Sequence, residues 1–277
     1  MTRPTRTLLI CTALLVGCGS ATAAPIDLEC DTPPSESAEE AVDYYFAGMN
    51  EVDPEARACM LQASLAADAS LLAADGRVDG RPEVRVALEE DAADLFLVAD
   101  NRELTRPVLF RHQEALLTWR ATDDSGSTVE EGEDWLELAD DGRLVRVHRF
   151  RGSGVPTSLT PELLAWQEAW NERDGAVQAA ALDTASTEDV RFSDLLVDVT
   201  GRSAVLSEIR RQQSLLDGTL DLGEPVEVHV GDVDTPVLIR HDAAIWLPDG
   251  TQIEIRNFIR LEEGRIERLS GFPIGSL

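Results

Sequence analysis

Residues 252–269 read QIEIRNFIRLEEGRIERL and decide the fold of the second half of the chain. Gln252 to Leu261 is β-like, and Ile266 to Leu269 is a second β-like segment after the turn residues Glu262 to Gly264. Such a turn joins antiparallel neighbours. Two further β-like segments come before it: Val226 to Val230 and Pro236 to Trp246. We therefore predict an antiparallel meander near the end of the chain.

Helical periodicity precedes this meander. Leu163, Leu164, Trp166 and Trp170 recur at helical spacing. Two more helices are expected, around Ala176 to Leu182 and over roughly Arg202 to Gln213. Helices first and a meander afterwards predict an α+β fold rather than an alternating parallel sheet.

The two halves of the chain share short motifs in the same order. Asp53 corresponds to Asp174, and Asp79-Gly80-Arg81 to Thr200-Gly201-Arg202, at a shift of 121 positions. The other matches are Arg111-His112-Gln113-Glu114-Ala115 with Arg240-His241-Asp242-Ala243, Asp141-Gly142-Arg143-Leu144 with Glu263-Gly264-Arg265-Ile266, and Phe150 with Phe272. Five matches in one order indicate that a single unit was copied.

The boundaries follow from turn and capping residues. A helix is predicted to begin at Ser37, with Glu40 completing a capping box, and another follows Thr160-Pro161-Glu162. The glycine-rich break at residues 151–156 separates the halves. We predict a signal peptide at 1–17, a tether at 18–36, a first domain at 37–150, a linker at 151–159 and a second domain at 160–277.

Motifs of the second half resemble one known superfamily. Ala169-Trp170-Asn171-Glu172-Arg173-Asp174, a strand ending at Asp194, and Gly201-Arg202-Ser203-Ala204-Val205 are similar to SnoaL-like (polyketide-cyclase-like) members of the nuclear transport factor 2 superfamily. The resemblance covers most of residues 160–272, and residues 37–150 share it mainly through the repeat. It implies two tandem cone-shaped domains, each with helices packed in a curved antiparallel sheet. Members of the superfamily use the cone for different functions, so the fold alone predicts none of them.

The isomerase members of this superfamily need a carboxylate base at the end of the first strand and a helix tyrosine in an acid pair. Asp194 occupies the base position in the second half, where Trp166 stands at the tyrosine position. Tyr45 occupies the tyrosine position in the first half, where Ala73 stands at the base position. Each half keeps one part and lacks the other. Asp194 remains the candidate general base, although a solvated strand-end or capping carboxylate is the more common role.

Aromatic residues are the candidates for a ligand pocket. Trp166, Trp170 and Trp246, together with Tyr45, are expected to line the cones, although aromatic residues at apolar positions are usually core. The four histidines, His112, His148, His229 and His241, show no metal-type spacing. We predict no metal site and no cofactor.

The charge of the chain limits its partners. It has 52 acidic and 24 basic residues, a net charge of −28, and every basic residue is arginine. Removal of Arg3 and Arg6 with an acid-free leader would make the charge −30. Such a surface repels phosphate backbones and anionic headgroups, so nucleic acid is not an expected partner.

The first residues indicate export. Arg3 and Arg6 precede an apolar run, Leu8 to Val16, that is far shorter than the ~20 residues needed to span a bilayer. The run ends in Leu15-Val16-Gly17-Cys18, which resembles the lipobox of bacterial lipoproteins and predicts lipidation of Cys18. A plain secretory leader cut after Ala23 is the alternative, which would leave a periplasmic or secreted soluble protein. In Gram-negative relatives, glycine after the cysteine implies outer-membrane sorting over the cytoplasmic membrane.

Cys30 and Cys59 remain as a pair in the exported chain. An oxidising compartment favours a disulfide between them, and two buried free thiols are the alternative.

Two functions are consistent with the sequence. The first is a non-catalytic lipoprotein of the cell envelope that binds a small apolar ligand or a protein partner. The second is an isomerase, cyclase or dehydratase that uses Asp194. Domains of this family commonly pair through their sheets, so we expect the two halves to form an intramolecular pseudo-dimer.

Overall fold

The computed structural model describes residues 28–73, 76–99, 101–152, 155–194, 196–224, 226–229 and 237–274. The predicted signal peptide, Cys18 and residues 18–27 of the predicted tether lie outside the described residues, as do Val230 and Pro236. Among the helices in the described ranges, none is both long and apolar enough to cross a membrane.

The first half contains three helices and seven strands in the described residues. The helices are α1 (Ala38–Asn50), α2 (Pro54–Ser64) and α3 (Arg81–Leu95). The strands are β1 (Leu65–Ala73), β2 (Gly76–Asp79), β3 (Asn101–Leu104), β4 (Leu109–Arg111), β5 (Glu114–Thr122), β6 (Thr128–Leu138) and β7 (Leu144–Arg151).

The second half follows the same order. Its helices are α4 (Pro161–Asn171), α5 (Gly175–Ala185) and α6 (Arg202–Leu216). Its strands are β8 (Val155–Thr157), β9 (Ser186–Ser193), β10 (Asp198–Thr200), β11 (Thr219–Leu222), β12 (Val226–His229), β13 (Val237–Trp246), β14 (Gln252–Glu262) and β15 (Arg265–Pro273). The α+β prediction is confirmed. Part of the predicted linker, β8, is a strand paired with β12.

Capping residues start the helices where the sequence predicts them. Ser37 is the N-cap of α1 and accepts a hydrogen bond from the Glu40 backbone N–H at 3.2 Å. Thr160 caps α4 in the same way. Asp53 and Asp174 cap α2 and α5, and each accepts two backbone N–H groups. A capping side chain satisfies donors that the first turn leaves without intrahelical partners.

Two curved sheets carry the helices. The first has the strand order β2-β1-β7-β6-β5-β3, with β4 also paired to β5. The second has the order β10-β9-β15-β14-β13-β12-β8, with β11 also paired to β13. Neighbours are antiparallel except β1–β7 and β9–β15, which are parallel. In each half, the strand that leaves the second helix thus lies beside the last strand of the meander.

The strand register corrects one of the motif matches between the halves. In β6–β7 Glu137 pairs with Arg146, and in β14–β15 Arg260 pairs with Arg268, with a bulge at the same place in both hairpins. Glu137 therefore corresponds to Arg260. Because Glu114 pairs with Glu137 and Leu238 with Arg260, Glu114 corresponds to Leu238. The predicted match of Arg111–Ala115 with Arg240–Ala243 is wrong, because these segments occupy different register positions.

Each half has its own hydrophobic core. Leu61, Leu88 and Leu117 belong to the first, which α1 and α3 cover. Leu182, Val205 and Ile259 belong to the second. A third cluster contains residues of both sheets and lies between them. Two separate cores are therefore joined by a further apolar layer.

The disulfide prediction is confirmed. Cys30 and Cys59 are bonded, with their Cα atoms 5.5 Å apart. The bond ties the segment before α1 to the middle of α2. Gln62 reinforces the same attachment, because its Nε2 donates to the Leu28 carbonyl at 2.7 Å.

Candidate functional site

Asp194 follows the end of β9 and caps the turn there. Its Oδ1 accepts the backbone N–H groups of Leu196 at 2.7 Å and Val197 at 3.0 Å. Its Oδ2 accepts a hydrogen bond from Gln212 of α6. The carboxylate therefore already has three donors, and its role as a base stays a prediction.

The three tryptophans have different environments. Trp166 and Trp170 are buried in α4 and pack on Phe192, with ring centroids 5.7 Å and 6.3 Å apart. Trp246 ends β13 and is 44% exposed. The structure thus brings Trp166 and Trp170 together in the second cone and does not bring Trp246 to them.

Tyr45 lies in the cone of the first half, within a set of charged residues. Its hydroxyl donates to Asp134 Oδ2 at 2.8 Å, and it accepts a hydrogen bond from Arg149. Arg149 Nε donates to Asp134 Oδ1 at 3.0 Å, and Arg149 Nη1 pairs with Asp91 of α3. Arg151 pairs with Asp91 too. These groups fill one part of the cone with ion pairs.

The protonation states follow from these contacts. Burial would raise the pKa of Asp134, but the charge and hydrogen bond of Arg149 hold it below its ordinary value. Burial raises the pKa of Tyr45, despite the opposing charge of Arg149. Asp134 is therefore an ionised acceptor, and Tyr45 donates to it. This pair differs from the acid pair of the isomerases, which needs a protonated aspartate.

Arg102 of β3 is the unusual residue of this cone. It is 2% exposed, and its Nε, Nη1 and Nη2 atoms have no hydrogen-bond partner. Asp91 is the nearest opposite charge, with Oδ2 3.7 Å from Nη2. The guanidinium carbon lies 4.1 Å from the centre of the Trp119 ring, and Trp119 Nε1 is buried without a partner as well. Burial lowers the pKa of Arg102, and the charge of Arg149 adds to this effect.

Trp119, which contacts the Arg102 guanidinium, and Ala121, which pairs with Arg102 across the strands, belong to an apolar cluster. Leu95, Ala99, Trp119 and Ala121 form a small cluster of their own, and Phe46 of α1 packs against it. Asn50 at the end of α1 fixes the strand, since its Oδ1 accepts the Arg102 backbone N–H at 3.0 Å. A buried cation beside an apolar wall is the result.

In the described part of the second half, a leucine occupies the position that corresponds to Arg102. Asn171 Oδ1 accepts the Leu220 backbone N–H at 2.8 Å, which is the counterpart of the bond between Asn50 and Arg102. Leu220 thus occupies the position of Arg102 and is buried in the second core. The candidate site therefore belongs to the first half alone.

A groove between the halves is the other candidate. It has a volume of about 810 Å³ and is lined by polar residues of both halves. Its arginines already have partners, because Arg106, Arg240 and Arg256 contact Glu133 at 3.0 Å, 3.5 Å and 2.6 Å. Within the described ranges, no cluster of three or more histidine, cysteine or acidic residues has a geometry that could hold a metal ion. The side chain of His229 is outside the described residues.

Solved structures of similar fold carry related descriptions. A candidate isomerase of the SnoaL-like family from Agrobacterium tumefaciens is 22% identical, with 41% of this chain and 95% of that chain covered and a TM-score of 0.37. A steroid delta-isomerase from Pseudomonas aeruginosa is 18% identical, with 43% and 82% covered and a TM-score of 0.33. A nuclear transport factor 2-like protein of unknown function from Cytophaga hutchinsonii is 14% identical, with 42% and 92% covered and a TM-score of 0.30.

Each of these structures matches about two fifths of the chain. No protein-family model matches the sequence. No curated protein matches it either.

Sequence reasoning found Tyr45 but missed Arg102, Asp134 and Arg149. Asp134 and Arg149 lie in strands whose two faces are both buried, so charge alternation gave no signal. Arg102 lies in a four-residue strand, NREL, whose composition is that of an exposed edge. The one available signal was the nearby tryptophan, Trp119, on the neighbouring strand.

Proposed function

We propose that this chain is an exported, non-catalytic binding protein of the cell envelope, anchored by a lipid on Cys18, and that its first cone binds a small apolar carboxylate. The two halves are further proposed to be SnoaL-like members of the nuclear transport factor 2 superfamily, as their motifs imply. The observation that carries the ligand proposal is the guanidinium of Arg102, which is buried without a hydrogen-bond partner and has its nearest opposite charge, Asp91, 3.7 Å away.

A buried charge without hydrogen bonds is unfavourable by several kcal/mol. A carboxylate would relieve this cost, because it accepts two parallel N–H groups from a guanidinium. The ring of Trp119 holds the guanidinium plane from one side and adds a cation–π contact. The apolar wall of Leu95, Ala99 and Ala121 suits the hydrocarbon part of such a ligand.

The arrangement of acids supports a role without catalysis. Asp134 is held by Arg149 and Tyr45, so it is not free to take a proton from a ligand. Asp194 accepts two backbone N–H groups and Gln212, as a carboxylate that caps a turn does. In both places the carboxylate therefore already stabilises local structure, which favours the non-catalytic proposal over the isomerase alternative.

Calorimetric titration of the purified protein with octanoate tests the ligand proposal. We expect binding of octanoate, and at least tenfold weaker binding of octan-1-ol, which lacks the charge. Arg102→Leu reproduces the residue that the second half has at this position and should abolish octanoate binding. Arg120→Leu is the matched control, because Arg120 lies on the neighbouring strand with its side chain 47% exposed and paired with Glu103.

Equal affinity for octanoate and octan-1-ol would contradict the carboxylate part of the proposal. Octanoate binding that survives in Arg102→Leu would place the ligand elsewhere. Lipidation is tested separately, by labelling cells that make the protein with radioactive palmitate. The protein should carry the label, and Cys18→Ser should not.

A further inference from the structure

The two sheets meet through their outer faces. Leu72, Leu116, Trp135 and Phe150 of the first sheet form one buried cluster with Leu238, Phe258 and Phe272 of the second. Trp135 stacks on Phe258 with ring centroids 5.9 Å apart, and Phe150 contacts Phe258 at 5.2 Å. The face of each sheet that would otherwise meet water is thus covered by the other half.

Along β6 and β14, an ion pair between the two sheets lies on each side of the contact between Trp135 and Phe258. Glu133 lies 2.6 Å from Arg256, and Glu137 lies 3.1 Å from Arg260. The hairpin registers make these residues counterparts: Glu133 pairs with Phe150 and Arg256 with Phe272, just as Glu137 pairs with Arg146 and Arg260 with Arg268. Each residue therefore touches the residue at its own position in the other half.

Self-contact of corresponding positions is the property of a two-fold axis. In a symmetric pair of identical faces, a glutamate on the axis would meet a glutamate, and the two charges would repel. Here, at the two corresponding charged positions, the first face carries the carboxylates Glu133 and Glu137, and the second carries the guanidinium groups of Arg256 and Arg260. Three corresponding positions meet along the axis, and at two of them the charges are opposite.

A third carboxylate of the first face also meets a guanidinium group of the second face, although the two residues do not occupy corresponding positions. Glu114 is fully buried, and Ser270 Oγ donates to it at 2.7 Å. Arg268 Nε donates to the same oxygen at 3.1 Å. The position that corresponds to Glu114 in the second face is Leu238, so this contact exists in one direction only. Arg268 pairs with Glu137 as well.

We propose that the two outer sheet faces are recognition surfaces that have diverged in charge, so that the first face binds the second and rejects a copy of itself. The partner that each face fits is the other half of this chain. Buried charges of this kind contribute more to the choice of partner than to net affinity.

Arg256→Glu combined with Arg260→Glu tests this proposal in the full chain, because it gives the second face the charges of the first. The new carboxylate at 256 would lie against Glu133 and Asp242, with Arg240 also contacting Glu133. The new carboxylate at 260 would lie against Glu137 and Glu267, while Glu137 keeps Arg146, Arg268 and His148. We expect the melting temperature at pH 7.5 to fall by on the order of 10 °C.

The pH dependence separates charge repulsion from simple loss of contacts. Crowded carboxylates have raised pKa values in the folded state, so lowering the pH from 7.5 to 5.5 should raise the melting temperature of the reversed variant. The unaltered protein should not gain stability over this range. Arg256→Gln combined with Arg260→Gln makes only positions 256 and 260 neutral, so its melting temperature at pH 7.5 should fall by less and should not rise on acidification.

Arg120→Glu is the control, since Arg120 lies in β5 of the first sheet with its side chain 47% exposed, and its partner is Glu103 of the same sheet. The proposal would be overturned if the melting temperature falls equally in the glutamate and glutamine variants and does not rise at pH 5.5 in the glutamate variant. If the glutamate variant does not fold at pH 7.5, folding on transfer to pH 5.5 supports it, and failure at both values counts against it.

Discussion

His148 donates from Nε2 to the carboxylate of Glu137 at 2.8 Å, while its ring stacks on Trp135 with centroids 4.1 Å apart. The histidine is completely buried between the two sheets. Burial lowers the pKa of His148 to about 4, although the bond to Glu137 opposes this shift. His241 is buried too, and burial lowers its pKa to about 4.

Acid should therefore weaken the protein through His148. The folded-state pKa lies below the ordinary value of 6.5, so the unfolded chain binds more protons below that pH. The contribution of neutral, buried His148 to the free energy of unfolding is fully present above pH 6.5 and is lost as the pH falls towards about 4. This loss reaches about 3 kcal/mol. His148→Gln should make the free energy of unfolding, measured with urea, depend less steeply on pH between pH 6.5 and 4.5. His112→Gln, a change in an exposed turn outside the buried contact, is the control variant, and an unchanged pH dependence in His148→Gln would contradict the assignment.

Arg102→Leu should stabilise the ligand-free protein. The change removes a buried cation that lacks hydrogen bonds. The free-energy cost of burying that cation is larger than the stabilisation of about 0.5–2 kcal/mol that its cation–π contact with Trp119 provides. We expect a gain of about 1–2 kcal/mol in the free energy of unfolding, measured with urea. Residues that bind a ligand often lower the stability of the ligand-free protein. A loss of stability in this variant would show that Arg102 serves the fold and would argue against the ligand site.

Tyr45→Phe should destabilise the first half. It removes one donor to the buried Asp134 and one acceptor for Arg149, so we expect a loss of about 1–3 kcal/mol. Tyr44→Phe is the matched control, because Tyr44 is the adjacent residue of the same helix and is only partly buried. Equal effects in urea unfolding of the two variants would mean that the bond to Asp134 contributes nothing.

Reduction of the disulfide should lower the stability by about 3–4 kcal/mol, the value of the chain-entropy model for a sequence separation of 29 residues. Thermal unfolding with and without a thiol reductant measures this loss. The double variant Cys30→Ser and Cys59→Ser should match the reduced protein and should not respond to the reductant. A response in that variant would show that the reductant acts elsewhere.

The protein should be monomeric, because the apolar outer faces of the two sheets already cover each other within the chain. Size-exclusion chromatography with light scattering should give the mass of one chain, at most 30.2 kDa. A stable dimer in this measurement would show that the faces also engage a second molecule.

Local chemistry determined much of the fold from the sequence. Ser37 and Thr160 start helices because their side chains satisfy free backbone donors. Gly264 in the final turn has φ +75°, a conformation that glycine adopts without strain, and the strands on either side pair as the sequence predicted. The order of helices and strands followed from these local signals and from apolar periodicity.

The tertiary structure alone decided where the charges of the central strands go. Most of β6 is buried on both faces, because its inner face meets the cone and its outer face meets the other sheet. Alternation of polar and apolar residues then no longer distinguishes inside from outside. Glu137 and Asp134 are both acidic residues in one strand, yet the first contacts Arg260 of the other half and the second contacts Tyr45 in the cone. Partners distant in the sequence set these contacts, so no local pattern could have indicated them.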